Sequence, residues 1–179
     1  VRQAQRLTGV PSRNIRRWLF GYIGRSTAGA KVHHSGLWEP EFVDEEEDQA
    51  LSFLDLLEIR FVHAFRLHGV SLQAIRAAAE HAREFFHASH PFTCSQFKTD
   101  GRSIFAHVVK YNSEAAEDEK LLDLVKRQYV FRQVVAPSLY AGISYDDYGQ
   151  AQCWYPLRRS QAVVLDPARA FGQPIVTRS

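Results

Sequence analysis

Four side chains near the amino end of the chain could recognise a nucleic acid. Arg13, Arg16 and Arg17 carry guanidinium groups, and Asn14 carries a carboxamide. A guanidinium can donate two hydrogen bonds to guanine, and a carboxamide can form an equivalent pair with adenine. The same arginines can bind phosphate oxygens, which supply much of the affinity for DNA. These residue types at this spacing therefore indicate duplex DNA as a partner.

The segment before these side chains predicts a short helix followed by a tight turn. Val1, Ala4 and Leu7 recur at the spacing of one helical face. Gly9 can end this helix because glycine readily adopts the left-handed conformation that such a turn requires.

A second helix is predicted to carry the arginines. Pro11 is tolerated in a first helical turn, and either Ser12 or Thr8 can cap the helix. The arginines fall on the side opposite an apolar stripe, as in the second helix of a helix-turn-helix DNA-binding unit. The alternative is an ordinary helical hairpin with a basic outer face. The apolar stripe consists of Ile15, Trp18 and Leu19.

The segment QRLTGVPSRNIRRW, residues 5–18, resembles the winged helix-turn-helix start of MerR-type regulators. In those proteins a similar segment forms a brace helix, a turn and a recognition helix. Residues 21–38 resemble the wing, a β-hairpin that contacts the DNA backbone. The resemblance implies that Arg25 and Lys31 contact phosphates. A Gly/Ser loop is the alternative for residues 24–36.

Charge is strongly segregated along the first third of the chain. Residues 1–38 contain seven Arg and Lys residues and no Asp or Glu, whereas residues 39–58 contain nine acidic residues and no cation. A basic block of this kind favours phosphate contacts. The acidic run predicts either a solvated linker or a segment that keeps the following residues away from a polyanion.

A second helix pair is predicted after the acidic run. Ser52 followed by Asp55 approximates a capping box, Gly69 marks a second turn, and Ser71 can cap the next helix. The segment LSFLDLLEIRFVHAFRLHGVSLQAIRAA resembles the second helix pair of MerR-type regulators. The long dimerising helix of that family is interrupted here at residues 90–91. The predicted core stripe of the last helix is Leu72, Ile75, Ala79, Ala82 and Phe86.

The second half of the chain predicts a small α+β domain with short antiparallel strands. Residues 97–107 predict a hairpin on the Asp100–Gly101 turn, and residues 113–135 predict a broken helix. A further hairpin is predicted from residues 143–145 and 152–155, followed by a strand at 162–165.

The tail VVLDPARAFGQPIV resembles a segment of VapB-like antitoxins, the partners of PIN-domain ribonuclease toxins in type II toxin–antitoxin systems. The stretches QYVFRQVVAPSLYAGISYDD and CWYPL are similar to the middle of such proteins. The resemblance implies that the protein represses its own operon and blocks a PIN-domain toxin. The matching tail residues are Asp166, Pro167, Gly172, Pro174 and Ile175.

Other functional classes find little support in the sequence. Phosphate-binding loops, nucleophile elbows and paired zinc motifs are absent, so we expect no enzyme activity, no cofactor and no metal. His87, His90 and Cys94 lack a fourth ligand nearby. With two cysteines and no apolar run of about 20 residues, we expect a cytoplasmic protein without a membrane partner. Because methionine is absent, we also expect missing sequence at one or both ends.

The sequence thus predicts an α+β protein with a MerR-like winged helix-turn-helix domain at 1–90 and an α+β domain at 91–179, incomplete at its carboxyl end. The expected partners are operator DNA, a PIN-domain toxin and a second copy of the chain, because palindromic operators usually require a dimer. The alternatives are a MerR-like regulator with a ligand-sensing second domain and a protein-interaction module whose basic helix binds an acidic partner. The predicted DNA-binding residues are Ser12, Arg13, Asn14, Arg16, Arg17, Arg25 and Lys31.

Overall fold

The computed structural model describes residues 1–25, 29–42, 50–112, 117–119, 122, 139–157, 160–169 and 174–177. Within these residues the chain is α+β, as predicted, and its helices precede a small antiparallel sheet. The helices are α1 Arg2–Thr8, α2 Ser12–Phe20, α3 Phe53–Leu67, α4 Leu72–Phe86 and α5 Ser95–Tyr111. The strands are β1 Tyr22–Arg25, β2 Lys31–His34, β3 Ile143–Tyr145, β4 Ala151–Trp154, β5 Val163–Leu165 and β6 Pro174–Val176.

The second helix pair begins at the caps that the sequence predicts. The Ser52 hydroxyl accepts a hydrogen bond from the Asp55 amide at 2.9 Å, and the Asp55 carboxylate accepts one from the Ser52 amide at 3.1 Å. This reciprocal pair is a capping box at the start of α3. At the start of α4, the Ser71 hydroxyl accepts from the Ala74 amide at 3.1 Å. Both predicted helix starts are confirmed.

The predicted hairpin at residues 97–107 is wrong, because this segment forms α5. The buried residues of α5 recur at helical spacing and give the helix one apolar face. That face outweighs the turn signal of Asp100 and Gly101, and Gly101 is itself buried within the helix. The helix predicted at residues 113–135 lies largely outside the described residues. The buried residues of α5 are Phe97, Gly101, Ile104, Phe105 and Val108.

The strands of the second half form one antiparallel sheet in the order β3-β4-β5-β6. The predicted hairpin is confirmed as β3 and β4, with an irregularity in the pairing between Ser144 and Tyr145. The predicted strand at 162–165 is confirmed as β5, which pairs with β4 through Leu165 and Trp154. The sequence analysis did not predict β6, where Ile175 pairs with Val164.

The helices and the sheet share one apolar core. The ring of Phe65 in α3 lies 5.4 Å from that of Phe92 and 5.0 Å from that of Phe105. One turn earlier in α3, the ring of Phe61 meets that of Tyr140 at 4.9 Å, edge to face. Buried residues on both sides of residue 90 therefore belong to the same cluster. The division into two domains at this position stays a prediction.

Candidate nucleic-acid interface

The turn between α1 and α2 has the geometry that the sequence predicts. Gly9 has a φ of 74°, in the left-handed region, and its amide donates to the Gln5 carbonyl at 2.9 Å. Val10 is fully buried and anchors the turn to the core. The Gln5 side-chain oxygen accepts hydrogen bonds from both the amide and the hydroxyl of Ser12. These contacts fix the orientation of α2 relative to α1.

The capping prediction for α2 is wrong. Pro11 occupies the N-cap position, and no side chain caps the helix. Ser12 lies inside the first turn, and its hydroxyl donates to Gln5 instead. The Thr8 hydroxyl accepts from the Val10 amide at 3.2 Å, within the turn itself. The preset backbone of proline therefore starts this helix without a polar side-chain cap.

The two faces of α2 are divided as predicted. Its apolar stripe is buried in the core, and Arg13 and Arg16 are exposed on the other side. Arg17 and Asn14 are half-buried. Among the described residues, neither Arg13 nor Arg16 has a hydrogen-bond or ion-pair partner, so both guanidinium groups are available to a ligand. The buried residues of the stripe are Ile15, Trp18 and Leu19.

A β-hairpin lies directly beside the basic face of α2. Strands β1 and β2 pair antiparallel, and exposed Arg25 lies opposite exposed Lys31. The guanidinium carbon of Arg17 lies 3.9 Å from the ring centre of Tyr22, and this ring stacks on His34 at 4.6 Å. These ring contacts hold Arg17 between helix and hairpin. The two predicted phosphate-contact residues thus share one end of the hairpin.

Helix α2 and the hairpin enclose an open concave surface of about 730 Å³. Three of the predicted arginines line one wall, and β1 provides the other. None of the described residues that line this surface is acidic, so the lining itself carries only positive charge. A basic concave surface of this kind attracts a polyanion. The lining residues are Arg13, Arg16, Arg17, Gly21, Tyr22, Ile23 and Gly24.

Two arginines of α4 hold the segment that follows the hairpin. The Arg76 guanidinium donates to the carbonyl of Gly36 at 2.6 Å and to that of Ser35 at 2.9 Å. Arg83 donates to the carbonyl of Leu37. The sequence analysis missed both arginines, although their spacing of seven residues places them on one face of α4. They fix the base of the hairpin to the second helix pair.

Close backbone packing also fixes the hairpin base to α2. The Leu37 amide donates to the Trp18 carbonyl at 2.6 Å. A Cβ atom at Gly36 would collide with the backbone oxygen of Leu19, so this position requires glycine. At Gly21, where φ is 75°, a Cβ atom would collide with the backbone oxygen of His34. Helix α2 and the hairpin are therefore held as one unit.

A buried polar cluster connects the end of this unit to α3. The Asp55 carboxylate accepts from the Trp38 indole at 2.7 Å and pairs with the His90 ring at 3.0 Å. Burial opposes ionisation of Asp55, but the hydrogen bonds from His90, Trp38 and Ser52 outweigh it and lower its pKa. Burial likewise opposes protonation of His90, but the hydrogen bond to Asp55 and the charge of Glu58 raise the His90 pKa. The cluster thus favours the ionised carboxylate and the protonated imidazole.

Of the three residues considered as metal ligands in the sequence analysis, His90 and Cys94 have other partners. His90 pairs with Asp55, and the Cys94 thiol donates to the Pro91 carbonyl at 2.8 Å. Burial raises the pKa of this thiol. No group of three His, Cys, Asp or Glu residues in the described ranges could hold a metal ion.

In the same ranges, no helix has both the length and the apolar character needed to cross a membrane.

Three comparisons with known proteins agree with this geometry. Residues 1–79 match a family described as "Putative DNA-binding HTH domain", where HTH denotes helix-turn-helix. Over 177 residues the chain is 26% identical to the protein named "Putative antitoxin VapB45" of Mycobacterium tuberculosis (strain ATCC 25618 / H37Rv), covering 97% of this chain and 74% of that protein. The crystal structure of Rv2018 from Mycobacterium tuberculosis superposes with a TM-score of 0.65 at 23% identity, covering 98% of this chain and 77% of the other.

The matched residues 1–79 include both helix-turn-helix pairs up to the middle of α4, and thus the whole concave basic surface. The amino-terminal part is therefore similar to DNA-binding helix-turn-helix domains, and the chain is a distant homologue of an antitoxin. Both similarities point to a non-enzymatic regulator. The likeness to Rv2018 supports the fold alone.

Proposed function

We propose that the protein is the antitoxin of a type II toxin–antitoxin pair, which represses its own operon and neutralises a PIN-domain ribonuclease. The observation that carries the DNA-binding part is the amphipathic character of helix α2. Its apolar stripe is buried, while Arg13 and Arg16 are exposed beside a basic hairpin. The distant similarity to an antitoxin supports the toxin-binding part.

In this proposal α2 enters the major groove and the hairpin acts as a MerR-like wing. Arg13, Arg16 and Arg17 contact base edges or phosphates, and Asn14 faces a base. Ser12 contributes at the amino end of α2, where the helix dipole favours a phosphate. The cross-strand neighbours at the hairpin end, Arg25 and Lys31, contact the backbone beside the groove.

The DNA-binding part is tested by titrating the full chain against the DNA upstream of its own gene. We expect Arg16→Ala and Arg17→Ala each to weaken binding by about 1–3 kcal/mol if the lost contact is to a base. The matched control is Lys98→Ala, because Lys98 is an exposed cation on α5, outside the concave surface. If the double variant bound this DNA as tightly as the wild type at every salt concentration, the assignment of α2 would be wrong.

The wing is tested separately through the salt dependence of binding. Removing one phosphate contact should lower the slope of log K against log salt by about 1, with similar losses on every DNA sequence. We expect this behaviour for Arg25→Ala and for Lys31→Ala. An unchanged slope for both variants would exclude the hairpin from the interface while leaving α2 in place.

The toxin-binding part is tested on the product of the neighbouring reading frame, which this proposal expects to be a PIN-domain nuclease. We expect the purified chain to inhibit RNA cleavage by that nuclease at equimolar concentration. An active neighbouring nuclease that the chain neither binds nor inhibits would contradict the antitoxin assignment. The DNA titration would still stand in that case, because it uses no toxin.

A second candidate function, ligand sensing, is favoured by one open cavity. It has a volume of about 910 Å³ and lies between α1, the start of α3 and the sheet. An apolar ligand there would contact Leu7 of the brace helix and Leu165 of β5 together. Leu54→Trp should narrow the cavity and weaken binding of ANS, an anionic dye that fluoresces when it binds hydrophobic surfaces. Dye binding that neither depends on Leu54 nor alters DNA affinity would exclude this function.

A further inference from the structure

Helices α4 and α5 present one exposed surface that the proposed function does not use. Each helix contributes a histidine, a charged residue three positions later and an aromatic residue four positions later. This spacing places all three side chains on one helical face. We define the α4–α5 patch as His81, Glu84, Phe85, His107, Lys110 and Tyr111.

The rings of the α4–α5 patch are in contact with one another. His81 and His107 stack face to face, with their centres 3.8 Å apart and their planes at 2°. Tyr111 lies 4.4 Å from His107, and Phe85 lies 6.3 Å from His81. Phe85 is 61% exposed and Tyr111 is 65% exposed. An exposed group of aromatic rings on a rigid helix pair is typical of a protein–protein interface.

The two edges of the α4–α5 patch carry opposite charges. Glu84 lies at the α4 edge, close enough to His81 to favour its protonated form. Lys110 lies at the α5 edge, with its ammonium 4.9 Å from the Tyr111 ring centre. Burial and the neighbouring His107 nevertheless lower the His81 pKa. The lowered pKa favours the neutral form of His81, which lies between one acidic and one basic edge.

This charge distribution makes the patch complementary to itself. Consider a two-fold axis that lies in the interface plane, above the stacked histidines and perpendicular to the line from Glu84 to Lys110. It places Glu84 of one copy opposite Lys110 of the other, and it brings the aromatic residues of the two helices together. Such an isologous arrangement uses the same surface on both subunits and closes after two copies.

We propose that the α4–α5 patch is the centre of a two-fold interface between two copies of this chain. Such a dimer leaves the basic surface free, because α4 contacts the hairpin base through Arg76 and Arg83, and neither arginine belongs to the patch. At about 100° per residue, His81 lies about 140° from Arg76 and about 160° from Arg83 around the helix axis, so the patch and these arginines occupy different faces of α4. Such a dimer then carries two basic surfaces, one on each copy.

The test is the self-association of the full chain, measured by sedimentation velocity over a range of micromolar concentrations without DNA. We expect a dimer whose dissociation constant rises roughly tenfold or more in Glu84→Lys and in Lys110→Glu, because each substitution opposes like charges. The variant with both substitutions restores the opposite charges and should recover most of the affinity. Tyr111→Glu should give a monomer, whereas the control Tyr148→Glu, at a site 85% exposed in the β3–β4 loop, should not.

Three results would overturn this proposal. They are a monomer at every concentration, a dimer that neither charge reversal weakens, and a double variant no tighter than the single ones. Circular dichroism of each variant shows whether the helices are retained, so a folding defect is distinguished from a lost interface. Because the experiment contains no DNA, its failure is also distinct from failure of the proposed DNA binding.

Discussion

The chain contains two helix pairs that begin alike and serve different purposes. In each pair a glycine with positive φ ends the first helix, at 74° for Gly9 and 82° for Gly69. A fully buried valine follows in both turns, Val10 in the first and Val70 in the second. The local sequence therefore produces nearly the same turn twice. The pairs differ in the direction of their polar side chains.

The clearest difference concerns two arginines at equivalent positions. Arg16 follows Ile15 in α2, and Arg76 follows Ile75 in α4, each seven residues after the turn glycine. Both isoleucines are fully buried. The Arg16 side chain is exposed and has no partner among the described residues, whereas Arg76 donates to two backbone carbonyls below the hairpin. The environment around the helix, rather than the helix itself, decides which arginine remains available for a ligand.

The largest predicted effect separates the helix starts of the two pairs. Asp55→Ala removes the capping partner of Ser52 and leaves His90 buried without its carboxylate. Breaking a buried ion pair in this way costs about 3–5 kcal/mol. The matched change at the start of α2, Ser12→Ala, removes one exposed hydrogen bond to Gln5 and should cost less than about 1 kcal/mol.

Urea unfolding monitored by circular dichroism measures both free energies. Similar losses in the two variants would show that the buried cluster contributes no more than an exposed contact. That result would contradict the distinction between the second helix pair, whose polar side chains make buried contacts, and the first pair, whose polar side chains are exposed.

The next effect is a pH dependence that arises within the second pair. Burial raises the pKa of Glu58 from 4.5 to about 7. Between these values the native protein binds a proton that the unfolded chain has lost, so stability falls as the pH rises. The raised pKa of His90 acts in the same direction, since its contribution is full below 6.5 and is lost as the pH rises through the folded pKa.

Glu58→Gln tests this linkage because glutamine has no proton to lose. We expect the variant to be more stable than the wild type at pH 8 by about 2–3 kcal/mol, and the difference to shrink toward pH 5. Urea unfolding at the two pH values measures the change. If the stability of the variant depended on pH as that of the wild type does, a group other than Glu58 would be responsible for the pH dependence.

A crossed pair of substitutions tests the two equivalent arginines directly. Arg76→Met removes charged hydrogen bonds to Ser35 and Gly36, which should cost about 2 kcal/mol of folding free energy. Arg16→Met should change stability by less than about 0.5 kcal/mol, because its side chain is exposed. DNA affinity should show the opposite ranking of the two variants. At low temperature, where both variants are folded, Arg16→Met should bind the operator more weakly than Arg76→Met does. If both variants lost stability equally, the functional distinction between the two arginines would fail.

The sequence predicted helices, caps and strands better than it predicted the long-range contacts that hold them in place. The divided faces of α2 and the capping box at Ser52 follow from local spacing, and both are confirmed. The hairpin predicted at Asp100 and Gly101 failed because packing against α3 and α4 selected the helical period instead. The role of Arg76 depends on a contact 40 residues away in the chain, which no local pattern contains. The DNA-contact residues themselves stay a prediction.

The smallest effect tests whether the two turns are as alike as their backbones indicate. A Cβ atom at Gly9 has open space around it, so the cost of Gly9→Ala comes from its positive φ alone. We expect a loss of about 1–2 kcal/mol there, and the same at Gly69, where φ is also positive. Asparagine tolerates this conformation, so Gly9→Asn and Gly69→Asn should cost less than the alanine variants. Urea unfolding measures the free energy of unfolding of the four variants. If substitution lowered this free energy at only one of the two glycines, the two turns would not contribute equally to stability.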